Sequence, residues 1–254
     1  MKVFRDSLLV FSRAMRLNLR NPAWVVVGMA QPVLYLALFG PLLEPMAGMP
    51  GMPPGNSWQI FTPGLLMTLG LFGAAFAGFG MLAEFRTGVI ERMRVTPLSR
   101  FSLLFGRVLR DVVTLLVQAC LLLLVAILIF GLDAPLDGLL LGLLLVALLG
   151  TTMASLSYGL ALVLKSEEAF APLLNSMMLP LMLLSGILLP MTMGPNWLQA
   201  ASRVNPVSYI VDSARAAFRG DFTDQTFLIG AVLSLVLAAG AAIWGSRVFS
   251  RETA

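Results

Sequence analysis

The sequence predicts an all-α membrane protein with six transmembrane helices. Of its 254 residues, 58% are hydrophobic and only 12% are charged, about half the charged share of an average soluble domain. The mean hydropathy is +0.90. A helix needs roughly 20 apolar residues to cross a hydrocarbon core of about 30 Å. The apolar stretches that approach this length are 23–43, 60–82, 103–131, 139–164, 170–189 and 227–244.

The cations predict the orientation of these spans. Fourteen of the 17 lysines and arginines lie on one predicted side of the membrane, while the loops at 41–59 and 132–138 contain none. Because cytoplasmic loops carry the excess of Lys and Arg, both termini are expected in the cytoplasm. Arg203, Arg215 and Arg219 lie on the outer side, and we expect them to snorkel from a partly buried element.

Residues 1–22 precede the first span and read as an amphipathic helix in the headgroup plane. The two faces are the apolar Phe4, Leu8, Phe11, Met15 and Leu19 and the cationic Lys2, Arg5, Arg13, Arg16 and Arg20. A membrane anchor and a partner-contacting helix are both compatible with this pattern. Residues 23–254 form the predicted transmembrane domain.

Small residues recur at a spacing of four in the second span, at Gly73 and Ala77 and at Ala74 and Gly78. Such pairs let helices approach closely within a bilayer. We favour packing of these small residues within the chain, and a dimer interface remains the alternative. Further along, Arg107, Arg110 and Asp111 lie at the cytoplasmic end of the third span, where they are expected to reach the interface.

The charged loop at 84–100, EFRTGVIERMRVTPLSR, separates the second and third spans. Glu91 and Arg94 are spaced to pair on one helical turn. Thr96-Pro97 is a helix-start signal, since Thr caps free amides and Pro is tolerated at the first position. The loop is therefore a short helix, a break and a new helix. The loop either transmits the motion of a cytosolic partner to the two spans, or it only determines the orientation of the spans in the membrane.

A second start signal, Asn205-Pro206, lies before the last span, and Gly220 is the matching stop. The helix between them is too short to cross a bilayer at 1.5 Å per residue. Residues 195–220 are thus expected to form short extracellular helices, re-entrant or interfacial, although a surface connector would fit the same pattern.

Several chemistries are absent from the sequence. It contains no histidine and one cysteine, which excludes a Ser-His-Asp triad and the usual zinc sites. No acidic residue lies at a predicted midplane, which disfavours ion-coupled transport. The closest approach to a phosphate-binding loop is 159–166, with Leu164 at the second glycine position. We expect no catalytic residues, no metal, no bound cofactor and no nucleic-acid partner; any ATP is hydrolysed by another chain.

The charged loop, continued by Leu104-Phe-Gly-Arg107, resembles that of type-2 ATP-binding-cassette (ABC) transporter permeases. The stretch from Asn205 to Arg215, NPVSYIVDSAR, is similar to the Asn-Pro-x-x-Tyr…Asp…Arg stretch of the same family. The motif LSGILLP at 184–190 looks most like daunorubicin-resistance-type drug permeases. The order of elements matches along nearly the whole chain. Within the second stretch, the re-entrant helix would contain Asn205, Pro206, Tyr209, Asp212 and Arg215.

The resemblance implies that 84–100 docks on a separate ATP-binding subunit through a coupling helix. Gly88 would permit a bend, charged side chains would pair with that subunit, and Thr96-Pro97 would start the next helix. The residues expected in this role are Glu84, Arg86, Gly88, Glu91, Arg92, Arg94, Thr96, Pro97 and Arg100.

The resemblance also implies a homodimer with two ATP-binding subunits, which would bind the ATP and Mg. The second and fifth spans of the two copies would line the route of a small amphipathic substrate. Methionine suits such a route because its thioether adapts to varied apolar shapes. The candidate path residues are Phe72, Phe76, Phe79, Asn175, Met178 and Leu184.

The expected function is therefore the permease subunit of an ABC exporter in the cell (cytoplasmic) membrane, moving drug-like or lipid-like amphipathic molecules outward. Three alternatives remain. A permease of this family could export a saccharide or glycolipid, a channel or carrier could work without a partner, and a membrane scaffold would transport nothing.

Overall fold

The structure is a computed structural model that describes residues 2–20, 23–46, 55–88 and 100–252, and these are helical apart from short connections. The helices are α1 (Lys2–Leu19), α2 (Ala23–Leu43), α3 (Ser57–Ala75), α4 (Ala77–Arg86), α5 (Arg100–Phe130), α6 (Leu136–Leu164), α7 (Glu167–Leu183), α8 (Asn196–Ser202), α9 (Pro206–Arg219) and α10 (Gln225–Glu252). Single 3₁₀ turns occur at Glu44–Met46 and Met191–Met193.

Four stretches of the described chain are long and apolar enough to cross a membrane: Ser57–Arg86, Phe101–Phe130, Leu136–Leu164 and Gln225–Arg251. The all-α membrane class is confirmed. The apolar part of α2, Val26–Leu42, is shorter, and α7 has only 17 residues and begins with two glutamates. Four of the six expected spans thus have a matching helix, and spans at α2 and α7 stay predictions.

α6 lies at the centre of the bundle and packs against α3, α4, α5, α9 and α10. It meets α10 at two glycines. A Cβ on Gly159 would lie 2.3 Å from the Trp244 ring, and one on Gly245 would lie 2.9 Å from the carbonyl oxygen of Ser155. Neither position has room for a larger side chain, so the two helices approach as closely as small residues permit.

The predicted second span is two helices, because the chain breaks at Phe76 between α3 and α4. The Ser157 hydroxyl of α6 enters the helical hydrogen-bond ladder here. The hydroxyl oxygen accepts from the Gly78 N–H at 2.9 Å, and the hydroxyl O–H donates to the Ala75 carbonyl at 2.5 Å. An inserted side chain of this kind is a known cause of a kink. A Cβ on Gly78 would lie 2.7 Å from the Ser157 carbonyl oxygen, so this small residue serves packing within the chain.

The helix in the predicted fifth span is shorter than 170–189, since α7 ends at Leu183. The next residues turn into the protein, with Ser185, Gly186 and Ile187 buried. Gly186 has φ 73°, a left-handed conformation that glycine adopts readily. The turn fits against α3 because Gly64 has no side chain: a Cβ there would lie 2.3 Å from the Ile187 carbonyl oxygen.

α1 is helical as predicted, but it has a third face that the two-faced pattern did not include. This face packs on α5, where a Cβ on Gly106 would lie 2.7 Å from the Ser7 carbonyl oxygen. The Asn18 amide donates to the Thr114 hydroxyl at 2.9 Å. Leu8 and Leu19, from the expected apolar face, are 42% and 71% exposed. α1 therefore attaches to the bundle through Val10 and through small and polar residues, and it leaves its leucines uncovered.

Candidate functional site

The candidate site lies where the charged loop joins the bundle, at the end of α4 and the first turns of α5. Glu84 forms an ion pair with Arg107, which also donates to the Met81 sulfur. The Arg107 side chain is 8% exposed and that of Glu84 is 40% exposed. A charge this deeply buried is stable only when it is paired and hydrogen-bonded. The last turn of α4 is therefore fixed to α5 by a partly desolvated pair.

One helical turn further along α5, a second polar group continues into α6. Arg110 pairs with Asp111, the Tyr158 hydroxyl donates to Asp111, and Arg110 donates to the Tyr158 oxygen at 3.1 Å. Tyr158 is 1% exposed. The Thr114 hydroxyl donates to the Arg110 carbonyl at 2.9 Å and also accepts from Asn18 of α1. Three helices, α1, α5 and α6, are joined by this group.

These contacts correct the expectation that Arg107, Arg110 and Asp111 reach the membrane interface. The side chains of Arg107 and Asp111 are 8% and 13% exposed, and only Arg110, at 27%, keeps substantial contact with the surface. Their neighbours in the fold, Glu84 and Tyr158, lie on other helices. Polar side chains on other helices can satisfy a charge in place of water, and single-sequence spacing contains no information on such pairing.

The end of α4 is also joined to the start of α7. Arg86 and Glu167 form an ion pair of 3.2 Å, with side chains 62% and 35% exposed. Lys165, between α6 and α7, places its ammonium nitrogen 5.9 Å from the centroid of the Phe85 ring. An exposed pair contributes only about 0–1 kcal/mol to stability. Its importance here is positional, because it connects the charged loop to α7.

The structure places part of the predicted coupling set at this junction. Glu84 and Arg86 make the ion pairs above, and Gly88 has φ 69°, so the chain bends where the glycine allows it. Arg100 is the first residue of α5. The remaining predicted members, Glu91, Arg92, Arg94, Thr96 and Pro97, lie outside the described residues. Sequence reasoning missed Tyr158 and Glu167, which bind charged residues of this junction. No motif or spacing in the sequence identified either residue as a partner.

Three of the six candidate path residues come together. Phe72 and Phe76 have ring centroids 6.5 Å apart, and Phe76 and Phe79 are 6.1 Å apart. Phe79 meets Phe170 of α7 edge to face at 5.0 Å. Phe170 was missed, although an aromatic at the start of the predicted fifth span was a usable signal. This phenylalanine row (72, 76, 79 and 170) spans α3, α4 and α7.

The other three path candidates, all near α7, differ in their surroundings. Asn175 is exposed, Met178 is 5% exposed within the core of the single chain, and Leu184 caps the end of α7 at intermediate exposure. Met178 is therefore covered by its own chain and lines no open surface there. That the six residues line a route between two copies stays a prediction.

The short helix before the last span has the predicted limits. Asn205 caps α9 by accepting from the Val207 N–H at 3.0 Å, and its amide donates to the Leu181 carbonyl at 2.7 Å. Pro206 is the first helical residue, and Gly220 ends the helix with φ 81°. The start and stop signals are confirmed, and the same Asn205 ties α9 to α7. That the helix is extracellular stays a prediction.

Arg215 does not snorkel, which corrects the sequence expectation. Its side chain is 2% exposed and donates to the Ile60 carbonyl at 3.0 Å, to the Gly186 carbonyl at 2.6 Å and to Asp212 at 3.2 Å. The planar guanidinium offers five N–H groups, which suits three acceptors on three segments. Arg219 pairs with Asp221 at 3.2 Å. Arg215 therefore fastens α9 to α3 and to the turn after α7.

Comparison with known sequences agrees with this arrangement. The profile of the ABC-2 type transporter family matches residues 6–218. The chain belongs to this family. The match covers the helices from α1 to α9, including the junction at Glu84 and the buried Arg215. Among the described residues, no group of three acidic or thiol side chains could hold a metal ion.

Relatives in this family are transport permeases by name. The chain is 28% identical to a putative transport permease ycf38 of Cyanophora paradoxa, over 84% of this chain and 74% of the relative. It is 30% identical to the protein of that name from Pyropia yezoensis, over 77% and 68%. It is 23% identical to the daunorubicin resistance ABC transporter permease protein DrrB1 of Streptomyces coeruleorubidus, over 82% and 73%.

Proposed function

We propose that this ABC-2 permease is the membrane subunit of an ATP-driven exporter that moves amphipathic drug-like or lipid-like molecules out of the cell. The observation that carries the proposal is the ion pair of Glu84 with the buried Arg107, at the point where the charged loop enters the bundle. Family membership supports a transport role. The drug-resistance name of one relative supports the substrate class.

The junction explains how motion would enter the membrane helices. A force on residues 84–100 acts on the end of α4, which is tied to α5 through Arg107 and to α7 through Glu167. Separating α4 from α5 would leave the Arg107 guanidinium buried without its carboxylate, which is unfavourable, so α4 and α5 move together. The chain itself binds no nucleotide in this proposal. ATP and Mg bind to the separate ATP-binding subunit, present in two copies per permease dimer.

The phenylalanine row supports an amphipathic substrate. Phe76 is 41% exposed on the single chain, and Gly80, one turn later, has open space around it. Aromatic and aliphatic surface of this kind suits apolar ligands of varied shape. In the homodimer that we propose, this surface of α3 and α4 faces the second copy, and the substrate passes between the two.

The test is co-expression with a candidate ATP-binding chain, chosen because it has an intact phosphate-binding loop, followed by reconstitution into nanodiscs. We would measure co-purification and ATPase stimulation by daunorubicin for the wild type, Glu91→Ala and Arg94→Ala. We expect association and stimulation to fall at least fivefold in both variants. Arg247→Ala is the matched control, because it removes one exposed cation from α10, far from the loop in sequence, and should behave as wild type.

Undiminished association and stimulation in both loop variants would refute the docking role of the loop. ATP-independent transport by the permease alone, in sealed vesicles, would instead identify a carrier or channel. A saccharide or glycolipid exporter would show stimulation by its glycan substrate and none by daunorubicin.

A further inference from the structure

The arginines of α1, and the one in the turn that ends it, form a stripe along one face of the helix. Arg5, Arg13, Arg16 and Arg20 are all exposed, and spacings of eight, three and four positions keep them on the same helical face. Within the described parts of the chain, no carboxylate lies within ion-pair distance of any of the four. Asp6, the one acidic residue of α1, is only 8% exposed. The arginine stripe (5, 13, 16 and 20) is therefore a positive surface without an acidic partner.

Two contacts give the direction of α1 relative to α5. The Ser7 carbonyl oxygen lies against Gly106, and the Asn18 amide donates to the Thr114 hydroxyl. Between these two contacts the chain advances eleven positions along α1 and eight along α5, which are about 16 Å and about 12 Å at 1.5 Å per residue. α1 therefore runs along α5 in the same direction. Its last turns lie closer than its first turns to the uncharged part of α5.

The last turns of α1 lie at one boundary of the hydrocarbon core. Residues 112–130 of α5 include no charged side chain, and these 19 positions cover about 28 Å, close to the hydrocarbon thickness of about 30 Å. Thr114 is in the first turn of this uncharged stretch, so its partner Asn18 lies at the boundary. Arg16 and Arg20 are within one helical turn of Asn18. They are therefore at the level of the lipid headgroups.

Large apolar side chains alternate with these arginines. Leu17 and Leu19 are 58% and 71% exposed, and they are next in sequence to Arg16 and Arg20. At a membrane boundary, the leucines of an amphipathic helix enter the acyl region, while its arginines extend to the phosphates. If the same surface faced water, both leucines would stay hydrated. The last turns of α1 thus match a lipid monolayer better than they match a water-exposed contact with another protein.

We propose that the last two turns of α1 form a binding site for phospholipids with a net negative headgroup, in which Arg13, Arg16 and Arg20 pair with the phosphates. A net negative headgroup is favoured because a zwitterionic lipid carries its own cation and leaves the arginine stripe uncompensated. Several basic residues next to a span are also attracted to the negative surface of the cytoplasmic leaflet, and this is the leaflet that the distribution of cations predicts here. The site belongs to the permease alone and needs no ATP-binding subunit.

The experiment uses the full chain, without an ATP-binding subunit, in phosphatidylcholine nanodiscs. Cys120 is replaced by Ala, and Leu19 is replaced by Cys and labelled with bimane. Quenching is compared between phosphatidylglycerol and phosphatidylcholine that carry a nitroxide near the carbonyl end of one acyl chain, at equal mole fraction. We expect phosphatidylglycerol to quench at least twice as strongly. Replacing Arg13, Arg16 and Arg20 together by Gln should bring the ratio to about one, whereas replacing all three by Lys should keep the preference, because the attraction depends on charge.

Two controls separate this site from general electrostatic attraction. The double variant Arg247→Gln/Arg251→Gln removes two exposed cations of α10 on the same predicted side, and it should leave the ratio unchanged. A label at Leu128 on α5, which is 78% exposed and near the opposite end of the uncharged stretch, should show no headgroup preference. Equal quenching by the two lipids at Leu19, a preference that survives the triple Gln variant, or its loss in the α10 variant would overturn the proposal. Protection of the label from both lipids would also overturn it, because another protein surface would then cover the stripe.

Discussion

Replacing Arg215 by methionine isolates the contribution of one buried guanidinium. Methionine keeps much of the apolar stem, so the loss is mainly that of the hydrogen bonds to Ile60, Gly186 and Asp212. The Ile60 carbonyl belongs to the helix α3. The Gly186 carbonyl lies in a buried turn and loses its donor in the variant. An unsatisfied buried carbonyl costs about 1–3 kcal/mol. Asp212 is 52% exposed and can turn to water. The lost charge-assisted bond to Ile60 adds to this cost, and removal of the buried charge offsets part of it, so the expected destabilisation is about 2–4 kcal/mol.

The assay is thermal unfolding in detergent, followed by tryptophan fluorescence and by the helical circular dichroism signal. At about 2–4 °C per kcal/mol for a chain of this size, the Arg215→Met variant should melt roughly 5–15 °C below wild type. Arg215→Lys should fall between them, because an ammonium cannot span the two carbonyls as the guanidinium does. Arg203→Met is the matched control; an exposed arginine should change stability by less than about 0.5 kcal/mol. If the Arg215 and Arg203 variants melted within about 2 °C of each other, the reasoning would be refuted.

Two other predictions concern the α4 region. Ser157→Ala leaves the Gly78 N–H without the hydroxyl that satisfies it, so the unfolding free energy should fall by about 1–3 kcal/mol in the same melting assay. Reversing the Arg86–Glu167 pair tests the link between α4 and α7: Arg86→Glu alone should lower substrate-stimulated ATPase activity about twofold or more, and the double variant Arg86→Glu/Glu167→Arg should restore it.

Each of these has its own control. Ser246→Ala on α10 removes a hydroxyl that bonds only within its own exposed helical turn and should leave the melting temperature unchanged; an equal effect of the two serines would contradict the role of Ser157. For the charge reversal, failure of the double variant to recover activity would show that Arg86 acts through another contact. Since this pair is exposed, its effect should also weaken in 0.5 M salt, where the screening length is short.

Local chemistry in the sequence was enough to determine several parts of this protein. The apolar content determined the membrane class. The helical spacing of apolar and cationic residues in 1–22 determined that α1 is a helix. Asn205-Pro206 and Gly220 determined both ends of α9, because a cap is made by residues within a few positions of the helix end. Glu84 and Arg86, which the sequence assigned to the charged loop, lie in the last turn of α4, and the motifs at 84–107 and 205–215 indicated the family.

Only the tertiary structure decided which residues satisfy the buried polar groups. The kink at Phe76 depends on Ser157, which is 79 positions from Gly78, and the burial of Arg215 depends on Ile60, at a distance of 155 positions. The pairing of Glu84 with Arg107 and the turn that ends α7 are of the same kind. Hydropathy and spacing describe only which residues share a face of the same helix. A buried charge or amide is stabilised by whichever distant group the packing brings within about 3 Å of it, and no local pattern specifies that group.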